Sequence, residues 1–121
     1  MKYTQGLQVN IPKYIIVLAN NLFEIEKKIK IAGDTANFNR NILKMKEALE
    51  ENGIIYENPE GQEFNETRTD LDASITGVGT ENLIVVDVLK PIIRVGASGI
   101  STIIQKGIVI VESVKKGEHN E

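Results

Sequence analysis

Hydrophobic positions along the chain change period once, near residue 53. Before that point they recur at helical spacing. Ile15, Leu18, Leu22, Ile25 and Ile29 form one stripe, and Ile16, Val17 and Phe23 widen it. A stripe that wide predicts a helix contacted on more than one side. Pro12 suits the first helical position or the turn just before it, and Gly33-Asp34 supplies a stop followed by a fresh N-cap. A second helix is expected over about 35–52, where Phe38, Ile42, Met45 and Leu49 recur at spacings of four, three and four. That is the seam of a coiled coil or bundle, and Asn52-Gly53 ends it. Two antiparallel helices on a short loop leave apolar surface over, and two such hairpins would close a four-helix bundle. A homodimer is therefore expected, with Leu18, Leu22, Phe38, Ile42, Met45 and Leu49 at the oligomerisation face.

Beyond residue 53 the runs are short, β-branched and punctuated by glycine and proline. Ile54-Ile55-Tyr56 reads as a strand, and Asn58-Pro59-Glu60-Gly61 as a turn. A polar stretch from Gln62 to Asp72 leads to a strand at Ser74-Ile75-Thr76, closed by Gly77-Val78-Gly79. Three stronger runs follow: Leu83 to Leu89, Ile100 to Ile104, and Ile108 to Val111. No stretch between them is long enough for a helix, so they must pair mostly antiparallel. Alternation is poor. In a regular strand Ile84, Val86 and Val88 point one way while Leu83, Val85 and Leu89 point the other, so both faces look apolar. Either the helices or another molecule must cover the second face. Gly96-Ala97-Ser98-Gly99 reads as a hairpin or loop. Gln105-Lys106-Gly107 either turns the chain between two strands or lies in one long strand with glycine at a bulge. The expected fold class is α+β: a helical hairpin over 1–52, a small, mostly antiparallel β-domain over 53–116, and a frayed tail over 117–121.

Composition narrows the chemistry. The 121 residues include no cysteine, no tryptophan and a single histidine, His119, in the charged tail. A disulfide framework and thiolate metal sites are excluded, and the core must be aliphatic. Residues 1–52 carry eight basic and six acidic groups, whereas residues 53–121 carry six basic and eleven acidic ones. An acidic β-half is a poor binder of phosphate backbones, so nucleic acid is disfavoured. Lys27, Lys28 and Lys30 complement the C-terminal dipole of the first helix. No apolar run approaches the ~20 residues needed to span a bilayer, and Met1 to Gly6 lacks the apolar stretch of a signal peptide, so a cytoplasmic protein without membrane contact is expected.

Candidate catalytic and ligand motifs are weak. Gly77-Val78-Gly79 lacks the third glycine of a dinucleotide fingerprint and leads into a strand. Asp70 and Asp72, with Glu63 and Glu66 nearby, lack the remaining ligands of a calcium loop. No cofactor or metal is expected, and an enzyme working through Asp70 and Asp72 is the weakest reading.

The order of elements resembles the C-terminal part of GrpE, the nucleotide exchange factors of DnaK-type chaperones. Val17-Leu18-Ala19-Asn20-Asn21-Leu22 is similar to that family's Val-x-x-Asp-Asn-Leu run. Leu49 to Ile54 is similar to its Leu-x-x-x-Gly-Val junction, and Pro59 to Asn65 to its Pro-x-Gly-x-x-Phe-Asp segment. Val85 to Lys90 and Ile103 to Val111 stand where the family has its last strands. The chain departs from the pattern at Pro91-Ile92, at Gln105-Lys106-Gly107 and at Thr69, and the family's long N-terminal pairing helix is missing. The resemblance implies a non-catalytic co-chaperone whose sheet docks on the chaperone's ATPase domain and promotes ADP release. By alignment Val88 and Val111 would carry docking, with Asp87 and Glu112 beside them, and Glu81 would complete an acidic rim. The alternative is a structural or assembly subunit, for instance of a phage or secretion apparatus, oligomerising through the helices and meeting its neighbour through the sheet.

Overall fold

The computed structural model describes residues 11–97 and 99–114; Met1 to Gly6, Ser98, His119 and the tail over 117–121 lie outside them. Helix α1 (Lys13–Ala32) and helix α2 (Phe38–Glu51) pack together as an N-terminal hairpin. Seven strands follow: β1 (Ile54–Glu57), β2 (Glu63–Phe64), β3 (Leu71–Thr76), β4 (Leu83–Lys90), β5 (Ile92–Ala97), β6 (Ile100–Gln105) and β7 (Gly107–Ser113). They form two sheets, ordered β1-β5-β6 and β2-β4-β7-β3, one of them curled into a half-barrel. The α+β class and the largely antiparallel pairing agree with the sequence pattern.

The helix boundaries follow local chemistry. Pro12 sits immediately before α1, its carbonyl accepting from the Ile15 amide at 3.0 Å. Gly33 ends α1 at φ +92°, a conformation that favours glycine. Helix α2 starts at Phe38, three residues later than the pattern suggested, because Asn37 is left-handed at φ +61° and interrupts the helical turn. Asp34 still acts as the cap: its carboxylate accepts from the amides of Phe38 and Asn39. At the far end Gly53 takes φ +79°, and its carbonyl accepts from the Gly96 amide at 2.9 Å. A Cβ at residue 53 would lie 2.5 Å from the Gly96 carbonyl oxygen, so only glycine lets α2 end against β5.

Strands β4–β5 and β6–β7 are the two arms of one long antiparallel ribbon. The pairing Ala97↔Ile100 to Val95↔Thr102 continues with little drift into Val88↔Val109 and Leu83↔Ser113. The ribbon is broken only at Pro91 and Lys106, where both arms pass from one sheet to the other. Proline has no N–H for the ladder, so the break falls where the backbone cannot pair. Gln105 bridges the gap by donating from Nε2 to the Pro91 carbonyl at 2.9 Å. Gly107 is tightly packed: a Cβ there would meet Leu71 at 2.9 Å and Ile92 at 3.0 Å. The ambiguity at Gln105-Lys106-Gly107 is thus resolved as neither a reversal nor a simple bulge, but a corner.

Two further pairings complete the larger sheet, one of them a departure from the antiparallel expectation. Strand β3 runs parallel to β7, from Leu71↔Gly107 to Thr76↔Glu112. Parallel neighbours need a long crossover, and here β4, β5 and β6 supply it in place of a helix. Strand β2, in the stretch read as polar, pairs with the start of β4 through Glu63↔Ile84 and Phe64↔Leu83.

One core joins the helices to both sheets: Ala19, Leu22, Phe23 and Ile42 from the helices, with Ile54, Tyr56, Leu71, Leu83, Val85, Val88, Ile92, Ile93, Val109 and Val111. The placement of Val88 and Val111 corrects the docking role the resemblance implied, since they are 2% and 0% exposed. The cause is visible in the pairing. Register shifts between Val85 and Asp87, and again between Val88 and Lys90, leave Val86 and Leu89 as extra residues on β4. Each bulge slips the alternation by one, so Val85 and Val88 share the inner face. In β7 alternation is strict, and Glu112, facing solvent, puts Val111 inside.

The burial pattern predicts unequal responses to small substitutions. Val111→Ala should cost about 1–3 kcal/mol in urea unfolding, whereas Val86→Ala should stay within about 0.5 kcal/mol of wild type. Equal losses at the two positions would contradict the inward placement of Val111.

Candidate interaction surfaces

The helical hairpin carries an apolar groove on the side away from the core. Leu18, Asn21, Leu22 and Ile25 line it from α1, and Met45, Ala48, Leu49 and Asn52 from α2. Each helix contributes the set i, i+3, i+4, i+7, one stripe per helix. The groove holds about 410 Å³ and no charged side chain lines it. Its two polar groups behave alike: Asn21 donates from Nδ2 to the Val17 carbonyl at 2.8 Å, and Asn52 to the Ala48 carbonyl at 3.0 Å.

The expected oligomerisation face is divided by this geometry. Ile42 and Leu22 belong to the core, although Leu22 also forms part of the groove floor. Leu49 is half-buried, while Leu18, Met45 and Phe38 are 50%, 45% and 52% exposed. Tyr14, Val17 and Ile25 are exposed on α1 as well. The over-wide apolar surface of α1 is therefore explained in part: Ala19 and Phe23 face the core, and Leu18 and Ile25 face the open groove. Asn21, Ile25, Ala48 and Asn52 complete the groove, although none of them was assigned to the oligomerisation face. Their signal was the spacing from Leu18 and Met45.

A second surface is the outer face of the β2-β4-β7-β3 sheet. Val86, Leu89 and Ile108 are exposed there, and Ile84 and Ile110 are half-buried. Glu112 lies on this face and is exposed. Asp87 is half-buried and occupied: Lys27 reaches it at 3.5 Å and donates to the Val88 carbonyl at 2.7 Å. Of the three lysines read as complementing the helix dipole, Lys27 instead ties α1 to β4. Glu81 enters through its backbone, its carbonyl accepting from the Ser113 hydroxyl.

Polar side chains elsewhere are engaged with one another. Asn20 and Gln105 exchange reciprocal amide bonds of 3.1 and 2.9 Å, which fix α1 to the corner of the ribbon. In a cleft of about 570 Å³ beside α1, the Tyr56 hydroxyl donates to Glu26 at 2.7 Å and Lys46 lies 3.4 Å from the same carboxylate. Burial, reinforced by Glu26, keeps the Tyr56 phenol protonated far above its ordinary range. Asp70, weighed above as a cation ligand, accepts from Arg68 Nε at 2.8 Å and Nη2 at 3.0 Å, and from Arg94 Nη2 at 3.2 Å. Arg94 also reaches Glu57 at 3.0 Å, so the network clamps the 62–70 segment to β1 and β5. Asp72 is exposed and lies 3.9 Å from Lys106. Among the described residues no acidic or histidine group is arranged to hold a metal ion, and no helix is long and apolar enough to cross a membrane.

Asp70 gives the fold an acid limit. Hydrogen bonds from Arg68 hold its carboxyl below the usual range. A depressed folded pKa contributes stability that is complete above the unfolded value of about 3.9. That contribution is lost as pH falls through the lower folded value. Asp70→Asn should therefore cost about 1–3 kcal/mol at pH 7 and flatten the loss of stability below pH 4. Melting curves between pH 2.5 and 7 check this, and an unchanged acid limb in the variant would contradict it.

Compared with known proteins, the chain matches no family model, no curated protein and no solved structure.

Proposed function

We infer that this chain is a non-catalytic protein-interaction module whose working surface is the helical hairpin. The observation that carries the reading is the uncharged groove between α1 and α2, left open by a chain whose core is already closed beneath it. Apolar surface beyond the needs of the core is the usual basis of a binding face. The titratable clusters around Asp70 and Glu26 support the same reading, because their charges are committed to ion pairs that hold segments together.

In its most specific form the module is a GrpE-like co-chaperone that promotes ADP release from a DnaK-type chaperone. A helical pair followed by a strand-rich region is the support for that form. With Val88 and Val111 inside, docking would fall to the outer face of the β2-β4-β7-β3 sheet, at Val86, Leu89, Ile108 and Glu112. An exchange factor must bind the open, ADP-releasing state of its partner better than the closed one. The alternative is an assembly subunit, oligomerising through the helices and meeting a neighbour through the sheet. It is favoured by β3, a six-residue strand at the sheet edge with Ile75 exposed.

Release of a fluorescent ADP from the ATPase domain of a DnaK-type chaperone separates the two. The exchange-factor form predicts severalfold faster release at micromolar concentrations of this protein, weakened by Val86→Ser with Ile108→Ser. An unchanged release rate at saturating protein removes that form. Assembly through the sheet instead predicts concentration-dependent particles larger than a dimer, reduced by Ile75→Lys at the β3 edge.

A further inference from the structure

The cleft beside α1 lies where helices and sheets converge, lined by α1, by Lys46 of α2, by Tyr56 of β1 and by Asp87 of β4. Its volume of about 570 Å³ falls within the range of small-molecule sites, roughly 300–1,000 Å³. We propose that it binds a small carboxylate with an apolar body, held by Lys30 and Lys46. This goes beyond the interaction-module reading, and no residue of the cleft lines the groove between the helices.

The carboxylates of the cleft take their shortest bonds from groups other than lysine. Glu26 accepts from the Tyr56 hydroxyl at 2.7 Å, and Asp87 from the Val88 amide at 2.9 Å. Their lysines stand farther off, Lys46 Nζ at 3.4 Å from Glu26 and Lys27 Nζ at 3.5 Å from Asp87. A tight ammonium–carboxylate bond measures about 2.7–2.9 Å. An ammonium offers three donors. Lys27 spends one on the Val88 carbonyl at 2.7 Å, whereas Lys46 makes no bond but the long one to Glu26. Lys30 also lines the cleft and has no carboxylate partner among the described residues. The hydrogen-bonding capacity left over is therefore N–H, and an oxyanion is the group that uses it.

Two further features narrow the ligand. Glu60 and Asp87 line the same cleft, and their charges oppose a doubly ionised group, which favours a carboxylate over a phosphate. Apolar surface lies next to the ammonium groups. Lys46 Nζ is 5.1 Å from the centre of the Tyr56 ring, and Lys27 Nζ is 5.6 Å from that of Phe23, distances at which a ring holds a cation. Ile31, 86% exposed, adds an aliphatic side chain to the lining. A few charged groups beside apolar surface is the usual make-up of a site that orients one end of a ligand and buries the other.

Titration of the ¹⁵N-labelled full chain with 3-phenylpropionate tests the proposal, with uncharged 3-phenylpropanol and inorganic phosphate as comparisons. Saturable shifts of the backbone amides over 26–31 and 56–60 are expected in the millimolar range, as suits a ligand of about eleven heavy atoms. The alcohol and phosphate should each bind at least tenfold more weakly. Lys30→Gln should weaken 3-phenylpropionate at least threefold and leave the melting temperature unchanged, because Lys30 has no ion pair to lose. Lys46→Gln should weaken it as well, with circular dichroism to confirm the fold. Four results would overturn the proposal: no saturable shift up to about 20 mM, alcohol or phosphate bound as tightly as the carboxylate, an affinity indifferent to both substitutions, or shifts centred on Leu18 and Leu49 of the groove. Each of these leaves the interaction-module reading standing, since ADP release is measured without the probe.

Discussion

The structure depends on one corner. Ribbon arms β4–β5 and β6–β7 would, if unbroken, make a long two-stranded hairpin, which has no core of its own and little stability. Pro91 removes a ladder donor at the point where the ribbon must bend, and Gly107 lets the facing arm come within contact of Leu71 and Ile92. The Gln105 amide spans the break, joining the Pro91 carbonyl on one side to Asn20 of α1 on the other. Bending converts one ribbon into two sheets and leaves an inner angle filled by Ile92, Ile93, Val109 and the buried face of α1. The helices are thus part of the β-region's core. They are not an arm attached to it.

Much of this was legible in the residue pattern, and the misses have specific causes. Both helices, the strand at Ile54 and the turn at Asn58 follow from periodicity and from the φ preferences of glycine and proline. The corner is harder to read, because a proline between two β-branched runs signals an end as well as a bend. The inner face of β4 is harder still. A bulge adds one residue without changing the composition of a strand, so Val88 counts as outward by simple alternation and is inward in the fold. The correct face of β7 was available from Glu112, whose charge at that position places Val111 inside.

The surfaces divide along the same lines. The groove was half visible, because Leu18, Met45 and Leu49 stood on helical stripes while Ile42 and Leu22 were drawn into the core by contacts sequence spacing does not report. Polar bridges were not legible at all. Asn20 meets Gln105 across 85 positions of chain, and Arg94 meets Asp70 across 24. No local pattern encodes partners so distant, although these contacts decide which polar side chains are committed and which apolar ones are left over. The functional reading depends on that remainder, since an open groove above a closed core is surface with no structural task inside the protomer.

The claim that helices and both sheets share one core is tested most directly by native-state hydrogen exchange at increasing denaturant. In that measurement the slowest amides of α1, around Ala19 to Phe23, should open with the same free energy as those of β5 and β7, around Ile93 and Val109 to Val111. All should converge on the global unfolding transition. If the α1 amides instead exchanged through a separate opening of lower energy while the sheet amides stayed protected, the hairpin would be an attached arm, and the account of the corner would be wrong.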